Sequence, residues 1–298
     1  MDNFQTGKTD SRSIDGEQMP EDWTTTLRPV SGWFDLKLRE LWRYRDLIMM
    51  FVRRDFVSIY KQTILGPLWY LIQPIMTTLV FTVIFGKIAR IPTDGLPIVL
   101  FYLSGVVSWR YFADCLQKTS NTFVGNAHVF GKVYFPRLTV PIAVTISSLI
   151  AFGIQLLLFA CFWFYYHSTG ADIHLQGAVV LLPLLVLQMA ALGLGCGIII
   201  SSLTTRYRDL AQLVSFGVQL WMFATPVVYP SSIIPENWQW LLVLNPMAPT
   251  IEVFRYMFFG VGTVNPGNLL ISFAQTAIIL FVGVILFSRI EKNFMDTV

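Results

Sequence analysis

Six long apolar stretches divide this chain, and its basic residues collect on one side of them. Count Arg110 with the connection that it borders. The segment up to Lys61 and every second connection after it then hold 18 of the 21 Lys and Arg residues, and the intervening connections hold only Lys87, Arg90 and Arg255. Lys and Arg are retained on the cytoplasmic side during membrane insertion. The asymmetry therefore predicts an all-α integral membrane protein with six spans and both ends inside. A span needs about 17–25 apolar residues to cross about 30 Å of hydrocarbon. The stretches 68–85, 140–166, 178–203, 211–229 and 269–287 carry no Asp, Glu, Lys or Arg. The sixth, 96–113, carries Arg110 near its end, where a long side chain reaches the headgroups.

Charged residues make up 13% of the chain, about half the proportion of an average soluble protein. A net charge of +3 is too small to suggest nucleic acid and suits an anionic inner leaflet instead. Residues 1–31 are polar, with six acids against Lys8, Arg12 and Arg28. They have no apolar core for a signal peptide and read as a disordered cytoplasmic tail. Cys115, Cys161 and Cys196 are scattered and read as small apolar residues.

Residues 32–61 read as cytoplasmic interface helices, and 62–298 as the six-span domain. Ile48, Phe51, Val52, Phe56 and Ile59 recur at spacings of three and four, interrupted by Arg53, Arg54 and Asp55. That pattern predicts an amphipathic helix, either a membrane-surface anchor lying in the interface plane or a lever that docks on a cytoplasmic partner. Gly66 and Pro67 break it at the mouth of the first span, and Pro74 is expected to kink that span. The connection 116–137 is basic, has no acid and contains several capable N-caps, so a short helix is expected there. In the last outer connection, 230–268, two apolar pieces flank Asn245 and Pro246, each too short to span. They predict two short re-entrant or interfacial helices. Glu252 and Arg255 sit three apart and are expected to form an exposed pair worth little.

The sequence offers little chemistry. The predicted spans hold no Asp, Glu or Lys, which disfavours an ion-coupled carrier. His128, His167 and His174 fall on different predicted sides, so no catalytic or metal cluster emerges. The stretch from Gly125 to Lys132 resembles a phosphate loop but has five residues between its glycines, and Val133 follows the lysine. Aromatic residues at the span ends, among them Trp69, Tyr70 and Tyr229, fit interfacial belts. They would also provide stacking faces for a sliding polysaccharide.

The run RDFVSIYKQTILGPLW from Arg54 to Trp69, followed by Gln73 and Pro74, resembles the entry to the first span of type-2 ABC exporter permeases for O-antigen, capsule and teichoic acid. FYLSGVVSW from Phe101 to Trp109, KVYFPR from Lys132 to Arg137, RYRD from Arg206 to Asp209, and Leu244, Asn245 and Pro246 with Arg255 resemble further points of that family. The resemblance implies that Asn126, Lys132, Phe135, Arg137, Arg206, Arg208 and Asp209 lie near a separate ATPase subunit. It implies a turn or gate role for Leu65, Gly66, Asn245, Pro246 and Arg255, and a channel lined by Trp69, Tyr70, Trp221 and Tyr229. It implies a homodimer with two ATPase copies in the bacterial inner membrane. ATP and magnesium would sit on the ATPase, with no cofactor on this chain. The implied cargo is an undecaprenyl-diphosphate-linked polysaccharide, O-antigen first. The alternatives are a type-2 permease for another amphiphile (teichoic acid, a lipo-oligosaccharide, a drug) and an integral-membrane glycan-processing enzyme.

Overall fold

A computed structural model describes residues 38–61, 65–130, 135–204, 210–262 and 264–294. Every regular element among them is helical. Helix α1 (Leu38–Arg43) leads into α2 (Arg45–Lys61), whose Phe51 and Val52 are buried while Arg53 and Arg54 face outward. Gly66 takes φ +44°, a conformation that favours glycine, and Pro67 opens a short 3₁₀ turn that runs into α3 (Trp69–Phe81). Pro74 is buried inside α3. The helix then widens into π turns over Thr82–Ile88.

Among the described residues, four helices are long and apolar enough to cross a membrane: Gly66–Ile88, Thr139–Ser168, Gly177–Thr204 and Pro266–Arg289. The shortest has 23 residues, or about 34 Å at an α-helical rise. They correspond to the first, third, fourth and sixth stretches of the sequence. The third contains α6 (Thr139–Ser168), the fourth α7 (Leu182–Thr204), and the last α11 (Pro266–Phe294).

The other two stretches take different forms. Helix α4 (Ile98–Ser120) runs seven residues past the expected end at 113. Arg110 and Asp114, four apart, pair at 3.6 Å, and Arg110 also donates to Gln73 on α3, so the helix carries its charges with partners. Almost all of α4 is buried; it packs on α3, α6, α7 and α10 and forms the centre of the domain. Helix α8 (Leu210–Phe223) stops six residues short of the expected 229. Pro226 explains the early stop, because it lacks an amide hydrogen and disfavours helix at Thr225 before it.

The α4–α7–α11 packing depends on glycine. A Cβ added at Gly193 would meet Cys115 Cβ at 2.6 Å and Phe112 O at 2.9 Å. One at Gly197 would meet Thr119 Cβ at 2.5 Å, and one at Gly195 would meet the backbone of Leu280 at 2.9 Å. Gly193 and Gly197, four apart, let α7 approach α4, while Gly195 and Gly283 do the same toward α11. With lipid outside, close backbone packing rather than the hydrophobic effect holds such helices together. Gly197→Leu is expected to destabilise the solubilised protein by about 1–3 kcal/mol through overpacking. Gly153→Leu, where a Cβ meets nothing within 4 Å, is expected to leave the melting midpoint nearly unchanged. Thermal unfolding in detergent checks both.

Candidate functional site

The segment after α8 forms a helical hairpin that packs along α11. A 3₁₀ turn (Glu236–Trp238) starts α9 (Gln239–Leu244), Asn245 and Pro246 form the tip, and α10 (Met247–Phe259) returns. Gly260, at φ +71°, ends α10 in the left-handed cap that glycine favours. Pro246 O accepts from Ser272 Oγ at 2.6 Å, and Gln275 Nε2 donates to Val243 O at 3.0 Å. The tip is therefore level with residues six to nine positions into α11, about 9–14 Å below its start.

Asn245 holds that tip with four hydrogen bonds. Its Oδ1 accepts from Trp221 Nε1 at 3.2 Å and from Met247 N at 3.1 Å, the latter capping α10. Its Nδ2 donates to Thr225 Oγ1 at 2.8 Å and Ala224 O at 3.3 Å. Trp221 lies edge-on to Trp109 and Phe112 of α4. One side chain thus joins the end of α8, the start of α10 and, through Trp221, the centre of α4.

Arg255 is the second anchor, and its environment overturns the exposed pair expected from sequence. It is 6% exposed. Its Nη1 donates to Pro226 O at 2.7 Å and its Nη2 to Val227 O at 2.8 Å. These carbonyls belong to the turn where α8 has stopped. Nε reaches Ser104 Oγ at 3.4 Å, and the guanidinium lies 3.8 Å over the Phe101 ring. Gly105 makes room, because a Cβ there would sit 2.8 Å from Val227 O. Arg255 and Glu252 lie on α10, in the connection between spans. Burial pushes the Arg255 guanidinium below its ordinary range, opposed by the charges of Glu252 and Asp94. Burial raises the Glu252 carboxyl, opposed by its hydrogen bond with Ser231 and by Arg255. Asp94 itself accepts from Ser232 Oγ at 2.8 Å, tying the first outer corner to the last. Arginine stays charged across this range, so the site is a permanent cation facing backbone carbonyls.

Trp221 and Tyr229 share an outer cleft of about 540 Å³ with Ala224, Trp238, Leu241, Leu244 and Asn245. The remaining expected channel residues lie elsewhere. Trp69, 45% exposed, and Tyr70 open α3 at the level of Asp55 and Asp114.

At the opposite end of α4, the short helix expected within 116–137 is α5 (Thr122–Phe130). Asn126 bends it (φ −117°, ψ 15°) and turns its amide back onto Thr122 O at 3.0 Å. Phe287, Phe123, Phe130, Phe135 and Phe51 form a continuous ring chain with centroids 4.6–6.0 Å apart, joining α11, α5 and α2. Arg137 is 5% exposed and lies over Phe130 at 5.5 Å, inside this cluster rather than on the surface. Leu65 is exposed and Gly66 buried at the turn into α3. Lys132, Arg206, Arg208 and Asp209 lie outside the described residues. The glycine seam of α7 was missed from sequence, although its four-residue spacing was a readable signal.

The sequence matches the ABC-2 type transporter family over residues 46–259. It is 28% identical over 251 residues to the O-antigen export system permease protein RfbA of Klebsiella pneumoniae, covering 84% of this chain and 94% of that protein. It is 26% identical to the protein of the same name from Myxococcus xanthus, over 88% of this chain and 98% of that one. The capsule polysaccharide export inner-membrane protein CtrC of Neisseria meningitidis serogroup A is 24% identical over 86% of this chain and 95% of its own length.

Arg255→Leu leaves the Pro226 and Val227 carbonyls without their donor and is expected to cost about 2–5 kcal/mol. Hydrogen exchange should speed at Val227 and Val228 more than in α7. Arg255→Lys keeps the charge but loses the fork, so an intermediate loss is expected.

Proposed function

The chain belongs to the ABC-2 type transporter family, and from that premise we propose that it is the permease subunit of an ATP-driven exporter for a lipid-linked polysaccharide. The observation that carries this reading is the extent of the relationship. Permeases named for O-antigen export and for capsule export match over 94–98% of their own lengths. The chain is accordingly a transport subunit, integral to the membrane, and not itself an enzyme. Because the O-antigen permeases are the more similar by identity, O-antigen linked to undecaprenyl diphosphate is the cargo we favour. Teichoic acid or another amphiphile is the second reading.

In this reading α4 and α8 complete six spans with the four apolar helices, and the α9–α10 hairpin is a re-entrant outer gate. Residues 1–31 form a cytoplasmic tail, 32–61 an interface region and 62–298 the transmembrane domain, with both termini on the cytoplasmic side of a bacterial inner membrane. Two copies enclose the path and two copies of a separate ATPase drive it, with ATP and magnesium bound there. Helix α5 is the coupling helix. Asn126 shapes it, and Phe135 and Arg137 seat it on α2 and α11 through the phenylalanine chain. Lys132, Arg206, Arg208 and Asp209 contact the ATPase. Movement imposed on α5 passes through that chain to α2 and α11. A glycan-processing enzyme is less well supported. Two of the few acids in the connections, Asp94 and Glu252, are engaged with Ser232 and Ser231.

An ATPase is expected to copurify with the tagged chain. Lys132→Glu should weaken that association and reduce coupled ATP turnover by roughly tenfold, equivalent to losing about 1.4 kcal/mol. Unchanged assembly and turnover would remove Lys132 from the interface. Absence of any nucleotide-hydrolysing partner would remove the exporter reading.

A further inference from the structure

The outer cleft of about 540 Å³ has a chemistry that does not suit a sugar. Among the described residues, none that lines it is charged. Asn245 and Trp221, two of its polar side chains, already spend their hydrogen-bonding groups on each other, on Met247 and on the end of α8. Tyr229 and Trp238 contribute the other polar side-chain atoms, and the rest of the lining is aliphatic or proline. A glycan binds where several free donors and acceptors converge on it, and this wall offers few. The cleft extends along α9 from Trp238 down to Leu244 and Asn245. Its deep end therefore shares the level of the hairpin tip, about 9–14 Å below the start of α11. At the shallow end Trp238 and Trp240 are both more than half exposed, as indole rings are at the headgroup level of a bilayer.

We propose that this cleft holds the hydrocarbon chain of the exported amphiphile, a polyisoprenyl tail, with the head group lying beyond the tryptophan rim. The inference rests on the lipid-linked cargo proposed above and assigns the tail, rather than the glycan, to the wall formed by Trp221, Leu241 and Leu244. Such a site keeps the tail against the hairpin, beside Asn245. Binding is by apolar burial, which is non-directional and lets a long chain slide.

The test uses the full-length protein in phosphatidylethanolamine–phosphatidylglycerol nanodiscs without nucleotide. One arm contains a polyisoprenyl phosphate with a diazirine near the far end of its chain. The other contains phosphatidylglycerol with a diazirine in its acyl chain, at equal mole fraction. Peptide mapping is expected to find the polyisoprenyl label on residues 221–245 at least fivefold above the phospholipid label. Ala224→Trp, which fills the cleft from a position whose carbonyl alone bonds Asn245, is expected to reduce that label at least fivefold. Labelling of the exposed Leu270 and Phe281 on α11 should not change. Leu241→Gln, on the opposite wall, should reduce the label without filling the space. Equal labelling by both probes would mean ordinary lipid contact and overturn the proposal. Cross-linking of residue 238 to a second copy with no polyisoprenyl label would mean that the partner protomer covers the cleft, and would also overturn it. Full labelling of both variants would place the tail elsewhere. Labelling requires no ATP turnover and no glycan. A labelled cleft in cells that export no glycan therefore sinks the cargo assignment alone, and glycan export with an unlabelled cleft sinks the tail site alone.

Discussion

The hairpin end of this domain depends on one buried cation. Helix α8 stops at Phe223 ahead of Pro226, and a helix that stops inside a packed apolar domain leaves carbonyls without partners. Two of the carbonyls beyond that end, Pro226 O and Val227 O, accept from Arg255, and the guanidinium closes on Phe101 behind them. Each charge-assisted bond contributes about 1.5–3 kcal/mol, which offsets the desolvation of the guanidinium. The stacking over Phe101 requires no water. With that turn held, Asn245 can fix the hairpin tip from the same side. The broken helix and the hairpin are therefore one structure: the hairpin brings the arginine, and the arginine makes the break tolerable.

Much of this was legible in the sequence, and the failures have specific causes. The turn at Gly66 and Pro67, the amphipathic α2, the short basic-loop helix α5 and the hairpin limits at Asn245, Pro246 and Gly260 all follow from local chemistry. Caps, prolines and periodicity act within a few residues, so a linear reading finds them. The end of α8 was misplaced because the apolar run continues to Tyr229 while the backbone does not; Pro226 was the signal, outweighed by hydropathy. Helix α4 continues past the apolar stretch 96–113, because Arg110 and Lys118 find partners on neighbouring helices. Those partners, Gln73 and Ser148, are 37 and 30 residues away. Arg255 was read as a surface residue because its ligands are backbone carbonyls, which a sequence does not distinguish. Four of the proposed ATPase contacts, Lys132, Arg206, Arg208 and Asp209, rest on the family resemblance alone.

The two ends of the domain are built from different materials, and the difference bears on how motion could pass between them. One end is joined by phenylalanine rings from α2, α5 and α11. Ring pairs favour offset or edge-to-face arrangements over a broad range of centroid distances, about 4.5–7 Å, so they yield gradually. The other end is joined by directional hydrogen bonds from Asn245, Arg255 and Ser272, which break rather than slide. Between them α4, α7 and α11 approach closely at Gly193, Gly195, Gly197 and Gly283, where an added Cβ would find no room. The two ends therefore yield differently, the rings by degrees and the hairpin as a choice between bonded and released. Packed interfaces of this kind favour discrete states over continuous deformation. A hairpin anchored by two residues is a suitable place for such a switch, because releasing Asn245 also loosens the wall of the apolar cleft that it lines.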